Sequence, residues 1–172
     1  MLRTKDIVLI GMLAGVCVVA TFIKVPFGTG AMVHLGTAFI FTCASLFGGL
    51  YAGLAAAIGT AMFDLLMGFS PYTLWSFFIK GGAGFIAGYI IKGVYPWNIR
   101  YKNGLILKIM AYLTASIWTL FGYILAWWQV IGSLNVALAN VPASLMSSTV
   151  GIIVALFLVP VLERVLPKNL YK

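Results

Sequence analysis

Two long apolar runs, residues 50–67 and 74–91, lie back to back around the short turn GFSPYT. Only Asp64 and Lys80 place a charge inside them. Each run is close to the roughly 20 residues that a helix needs to cross a bilayer core. Runs of this kind belong either in the interior of a large soluble protein or in a membrane. The chain has 172 residues, 63% of them hydrophobic and 8% charged, with a mean hydropathy of +1.09. No soluble domain of that size encloses so much apolar surface. The alternation of polar and apolar residues that marks a membrane strand is missing, which argues against a barrel. The expected fold is therefore all-α. It is an integral membrane bundle of six transmembrane helices, one domain over residues 1–172.

The helices are expected at residues 6–23, 33–47, 50–67, 74–91, 105–128 and 136–165. The first carries Gly11, Ala14 and Gly15, a face of small residues that lets another backbone approach closely. That face fits packing within the bundle or docking to a separate membrane subunit. The first run is as long as a spanning helix, and no small-residue cleavage site follows it before Lys24 and Pro26, so it does not read as a signal peptide. The segment KVPFGTGAMVH reads as a loop with room to move. In the third helix Gly53, Ala57, Ala61, Asp64 and Gly68 share one face, and in the fourth Lys80, Gly84 and Gly88 do. Two such stripes can pack tightly side by side. Pro142 removes a backbone donor and is expected to kink the sixth helix near its start. Cys17 and Cys43 fall mid-run and read as buried free thiols.

Asp64 and Lys80 lie at matching depth, roughly 6–9 Å from the membrane surface at 1.5 Å per residue. An unpaired charge there is costly, so each needs a partner or a polar cavity. Two readings fit: a polar ligand site, or an ion pair that only fixes helix register. Both require the two side chains to be near each other.

Orientation follows from the bases. With the N-terminus inside, Arg3, Lys5, Lys92, Arg100, Lys102, Lys108, Arg164, Lys168 and Lys172 are cytoplasmic, nine of the eleven Lys and Arg. Lys24 is the one base in an outer loop. That bias puts both termini in the cytoplasm. The net charge of +8 is then a topology signal and not a nucleic-acid one. The polar and aromatic groups His34, Asp64, Tyr72, Trp75, Lys80, Trp127, Gln129, Asn135 and Asn140 gather at the outer side. They are the candidate substrate-binding residues of a cup open outward.

The chemistry that is missing narrows the function. There is no phosphate-cradling loop followed by Lys and Ser or Thr. Zinc-type His and Cys spacing is absent, and the three acids are too scattered for a carboxylate dyad. Nothing resembles a nucleophile elbow, and no inverted repeat of the secondary-transporter kind is visible. The expectation is a binding protein that is not an enzyme, needs no metal or cofactor, and draws energy from elsewhere.

Residues 57–88, AIGTAMFDLLMGFSPYTLWSFFIKGGAGFIAG, resemble the substrate-binding S components of energy-coupling factor (ECF) vitamin transporters, most closely the riboflavin-type branch. The shared pattern is a Gly, then Asp-Leu-Leu-x-Gly, an aromatic-rich turn, and Lys-Gly opening a Gly-rich helix. NVPASLMSSTVG, residues 140–151, is similar to the family's Asn-x-Pro start of helix six. It departs in having Ser147 or Ser148 where a Gln or other large polar group often sits. The face at Gly11, Ala14 and Gly15 is similar to the family's docking motif. The resemblance implies six helices with both ends inside, in the plasma membrane of a prokaryote. It implies a vitamin-sized ligand bound near the outer surface and a lid formed by Lys24, Pro26, Phe27 and Gly28. It also implies partners: a transmembrane T component and two ATP-binding cassette ATPases, which use the ATP. The loaded subunit is expected to topple in the lipid and carry its ligand inward.

The mix of one acid, two bases and many aromatics suits a small flat heteroaromatic ring with hydroxyl groups. A vitamin B6-type pyridine or a hydroxymethylpyrimidine is favoured over riboflavin. Folate would need more cations, and pantothenate stays open. The competing function is a self-sufficient small carrier or channel.

Overall fold

A computed structural model of the chain describes residues 2–27, 31–93 and 104–167. The element order is α1 (Thr4–Phe22), β1 (Lys24–Phe27), β2 (Ala31–His34), α2 (Gly36–Phe47), α3 (Gly49–Leu66), a 3-10 turn (Ser70–Tyr72), α4 (Thr73–Lys92), α5 (Leu105–Ile131), α6 (Leu134–Ala139) and α7 (Val141–Val165). The molecule is an all-α membrane bundle with one small hairpin.

Among the described residues five segments are long and apolar enough to cross a bilayer: α1, α3, α4 with its 3-10 turn, α5, and α6 with α7. The sixth, α2, is shorter than expected. Its 12 residues span about 18 Å, against a hydrocarbon core of roughly 30 Å. Eleven of those residues are buried, so α2 is the core post around which the long helices stand. Ile40, Phe41 and Leu46 are its central apolar groups, packed with Ile91, Tyr112 and Val159. Phe41 stacks on Tyr112 at 4.8 Å between ring centroids, and the Tyr112 hydroxyl bonds Ser45.

The rest of the expected second helix is strand. β1 and β2 pair antiparallel, Lys24 opposite His34 and Phe27 opposite Ala31. The Leu35 N–H extends the ladder to Ile23 O at 3.1 Å. His34 Nδ1 then accepts the Gly36 N–H at 3.1 Å and closes the start of α2. The segment expected as a loop is thus held by backbone pairing. Gly28 of the expected lid lies outside the described residues, as do Arg100, Lys102, Lys168 and Lys172 from the count of bases.

α3 and α4 make the most extensive contact in the bundle. Their small-residue stripes explain it. A Cβ added at Gly84 would stand 2.6 Å from Ala52 O, and one at Gly88 would stand 2.5 Å from Gly48 C. Any side chain at these two positions would push the helices apart. The expected tight pair is present.

The last helix is broken where a kink was expected. Pro142 sits in the first turn of α7 and has no N–H to continue a ladder from α6. Asn140 forms the one-residue joint between the two helices. α5 runs three residues past its expected end, to Ile131, and Gly132 ends it with φ of 77°. Cys17 and Cys43 are both free and buried.

Charges at one end tie the helices together. Lys92 Nζ donates to Leu46 O at 2.8 Å, and Lys108 pairs with Glu163 at 3.3 Å. This end also holds the start of α1. The turn between α3 and α4, the hairpin and the end of α5 lie at the other.

Candidate functional site

A cavity of about 200 Å³ opens at the end away from Lys92 and Lys108. Seven parts of the fold build it. α1 brings Thr21, and the hairpin brings Met32 and His34. α3 gives Thr60, Phe63 and Asp64, and α4 gives Ser76 and Lys80. α5 adds Thr119, Tyr123 and Trp127, and α7 adds Ser144, Ser147 and Ser148. Phe69 and Tyr72, from the turn between α3 and α4, complete the wall.

Helical spacing aims these groups. Thr60 and Asp64 are four residues apart on α3, as are Ser76 and Lys80 on α4, so each pair shares a face. The same is true of Thr119, Tyr123 and Trp127 on α5. Tyr123 and Trp127 stack with ring centroids 5.4 Å apart, presenting a flat aromatic wall.

Lys80 is 4% exposed. Its Nζ donates to Thr37 Oγ1 at 3.1 Å and sits 5.4 Å from the centre of the Tyr123 ring. Asp64 is 8% exposed, and its Oδ2 has no hydrogen-bond partner. The two charges face one cavity and act on each other, but no ion pair joins them among the described residues. The simple register pair is corrected for a physical reason. α2 stands against α4 and offers Thr37, so the Lys80 ammonium turns to that hydroxyl while Asp64 keeps a free oxygen.

The remaining hydroxyls are mostly engaged. Thr60 donates to Ala56 O at 2.8 Å, Thr21 to Cys17 O at 2.7 Å, and Thr119 to Ala115 O at 2.9 Å. Ser76 and Tyr123 share a bond of 3.1 Å. Ser147 Oγ, by contrast, is buried without a partner.

Of the residues expected at the site, His34, Asp64, Tyr72, Lys80 and Trp127 line this cavity. Asn140 is 1% exposed at the α6–α7 joint, and neither of its amide atoms has a partner. Gln129 and Asn135 are exposed and do not line it. Trp75 lies on a separate apolar groove with Phe78, Trp118 and Phe121. Sequence reasoning passed over Thr60, Ser76, Tyr123 and the serines of α7 as site residues. Their signal was spacing: each falls three or four residues from another cavity residue.

The hairpin covers one side. Lys24 Nζ lies 4.8 Å from the Phe63 ring centre and 5.7 Å from that of Phe69. Pro26 is exposed, and the backbone of Phe27 pairs with Ala31. On the far side of α1 the small-residue face divides. Ala14 is buried, its carbonyl 2.8 Å from where a Cβ on Gly59 would stand. Gly11 and Gly15 face outward with nothing within 4 Å, among exposed Met12, Val16 and Val19.

A family model described as "ECF-type riboflavin transporter, S component" matches residues 1–164. The chain is 28% identical over 140 residues to a protein of Lactococcus lactis subsp. cremoris (strain MG1363) named "Thiamine precursor transporter HmpT". That match covers 81% of this chain and 75% of the relative. A Pyrococcus woesei protein named "Uncharacterized protein in gap 3'region" is 27% identical over 111 residues, 62% of this chain and 74% of its own length.

Proposed function

The chain belongs to the S components of ECF-type transporters, and on that premise we propose that it captures a single-ring vitamin or vitamin precursor at the outer face of the membrane. It is a multi-pass plasma-membrane protein, with five segments of spanning length among the described residues. The observation that carries the proposal is the cavity between Asp64, Lys80 and the Tyr123–Trp127 wall.

Size supports a small ligand. A cavity of about 150 Å³ accepts one benzene ring, and this one is about 200 Å³. That volume matches one substituted six-membered ring. The cavity chemistry adds to this, with an aromatic wall to stack on, a cation and an acid. A hydroxymethylpyrimidine or a pyridoxine-type ring meets all three. The printed name of the Lactococcus relative supports the pyrimidine, which is a thiamine precursor.

The positive-inside bias supports an outward-facing cavity end. The chain has no nucleotide-binding loop of its own. Import then rests on the family's T component and two ATPases, with Gly11 and Gly15 on the outer face of α1 as the docking surface. The subunit itself performs no catalysis and needs no cofactor. In proteoliposomes the purified protein alone should bind its ligand one to one and move none. Addition of the T component, the ATPases and ATP should start uptake. Uptake by the pure chain would replace this reading with a self-sufficient carrier.

A further inference from the structure

We propose that Asp64 selects the ligand by accepting an N–H from an amino group on its ring, so that the cavity takes an aminopyrimidine in preference to a ring of equal size without the amine. This rests on the reading of the cavity as the capture site. It adds which edge of the ligand the protein reads and which residue reads it.

The donors and acceptors left over in the cavity carry the inference. Asp64 is more than nine-tenths buried, and Oδ2 has no partner. An ionised carboxyl only accepts hydrogen bonds, so Oδ2 needs a donor. Among the described residues only Ser76 reaches this carboxyl as a donor, and it leaves Oδ2 unpartnered. The Thr21, Thr60 and Thr119 hydroxyls donate to backbone carbonyls of their own helices. The Ser76 hydroxyl is shared between Tyr123 and the Asp64 carboxyl, and Oδ2 is still without a partner. Lys80 is turned to Thr37 and makes no ion pair with Asp64 among the described residues.

The other free groups have the opposite character. Lys80 has three N–H donors and spends one on Thr37. His34 accepts at Nδ1, which leaves Nε2 as the N–H of a neutral ring. Ser147 Oγ is unpartnered and can give or take. The cavity therefore complements a ring with an N–H donor on one edge and oxygen or ring-nitrogen acceptors elsewhere. A 4-amino-5-hydroxymethylpyrimidine is such a ring. Its amine meets Asp64, its hydroxymethyl oxygen takes an N–H from Lys80, and its face lies on the Tyr123–Trp127 wall. A carboxylate such as pantothenate would instead bring a like charge toward Asp64.

The test is a cycle of two ligands and two proteins, read by calorimetry in detergent. The ligands are 4-amino-5-hydroxymethyl-2-methylpyrimidine and the same molecule lacking the amine. The proteins are wild type and Asp64→Asn, with folding checked by thermal unfolding. Wild type should bind the aminopyrimidine at least roughly tenfold tighter than its partner, the value of one charge-assisted hydrogen bond. In Asp64→Asn that preference should shrink to about threefold or less. Equal binding of both ligands by wild type overturns the inference even if the variant does not fold. A preference that survives in Asp64→Asn overturns it as well. Tight pyridoxine binding with a weak aminopyrimidine would keep the single-ring reading and refute the amine. No binding of any single-ring compound would refute both.

Discussion

Replacing Gly88 by Ala tests whether the two glycine stripes really hold α3 against α4. The added methyl would stand 2.5 Å from both Gly48 C and Gly49 N and 2.7 Å from Gly48 O, where ordinary contact begins at 3.4 Å. All three atoms are backbone, so no side chain can rotate away. The helices must part by nearly 1 Å, and a gap of that size already forfeits about a quarter to a half of each dispersion contact beside it. Overpacking typically costs about 1–3 kcal/mol, and rigid backbone neighbours favour the upper end. Ala recovers about 1 kcal/mol of helix propensity. The net expectation is a loss of about 2 kcal/mol. Gly15→Ala is the control, because nothing lies within 4 Å of its Cβ position and only the propensity gain applies. Thermal unfolding in a mild detergent can be followed by labelling of Cys17 and Cys43, both buried in the folded protein. Gly88→Ala should label at a clearly lower temperature than wild type, and Gly15→Ala at the same or a higher one. A Gly88→Ala protein as stable as the control would refute the close packing.

Thr37→Val removes the hydroxyl that holds Lys80. It should cost about 1–3 kcal/mol of stability or the equivalent in ligand affinity, since a buried donor loses its partner; melting and titration of the same variant separate the two. Lys24→Ala removes the cation over Phe63 and Phe69. The hairpin should open more easily, and ligand should leave roughly twofold to fivefold faster in stopped-flow fluorescence. Gly15→Leu should leave folding and ligand binding intact and abolish uptake by the assembled complex, because Gly15 faces away from the bundle; normal uptake would place docking elsewhere.

The long helices were legible because length and apolarity alone decide them in a membrane chain. That Asp64 and Lys80 share one polar site was legible because two opposite charges stand out in apolar runs. Their partners were not. Thr37 is distant in sequence from Lys80, and nothing local to either residue shows that α2 brings a hydroxyl to the ammonium. The short α2 and the hairpin were missed together. VPF and AMVH are brief strands with a Pro and two nearby Gly, so local propensity reads as loop. Pairing is anchored at the open end of the hairpin, by the Leu35 N–H on Ile23 O and by Lys24 over its two rings. Gln129 and Asn135 have the polarity of site residues near a helix end. At a membrane surface the same polarity serves contact with water, and both are exposed.

The size and identity of the captured ligand decide most directly what the protein does. Trp127 lines the cavity, so ligand binding should report in intrinsic fluorescence. The measurement is a titration of the purified protein in detergent with 4-amino-5-hydroxymethyl-2-methylpyrimidine, pyridoxine, pantothenate and riboflavin. Saturable quenching at nanomolar to low-micromolar aminopyrimidine, with little response to riboflavin, is the predicted result. Tight binding of riboflavin with none of a single-ring compound would contradict it.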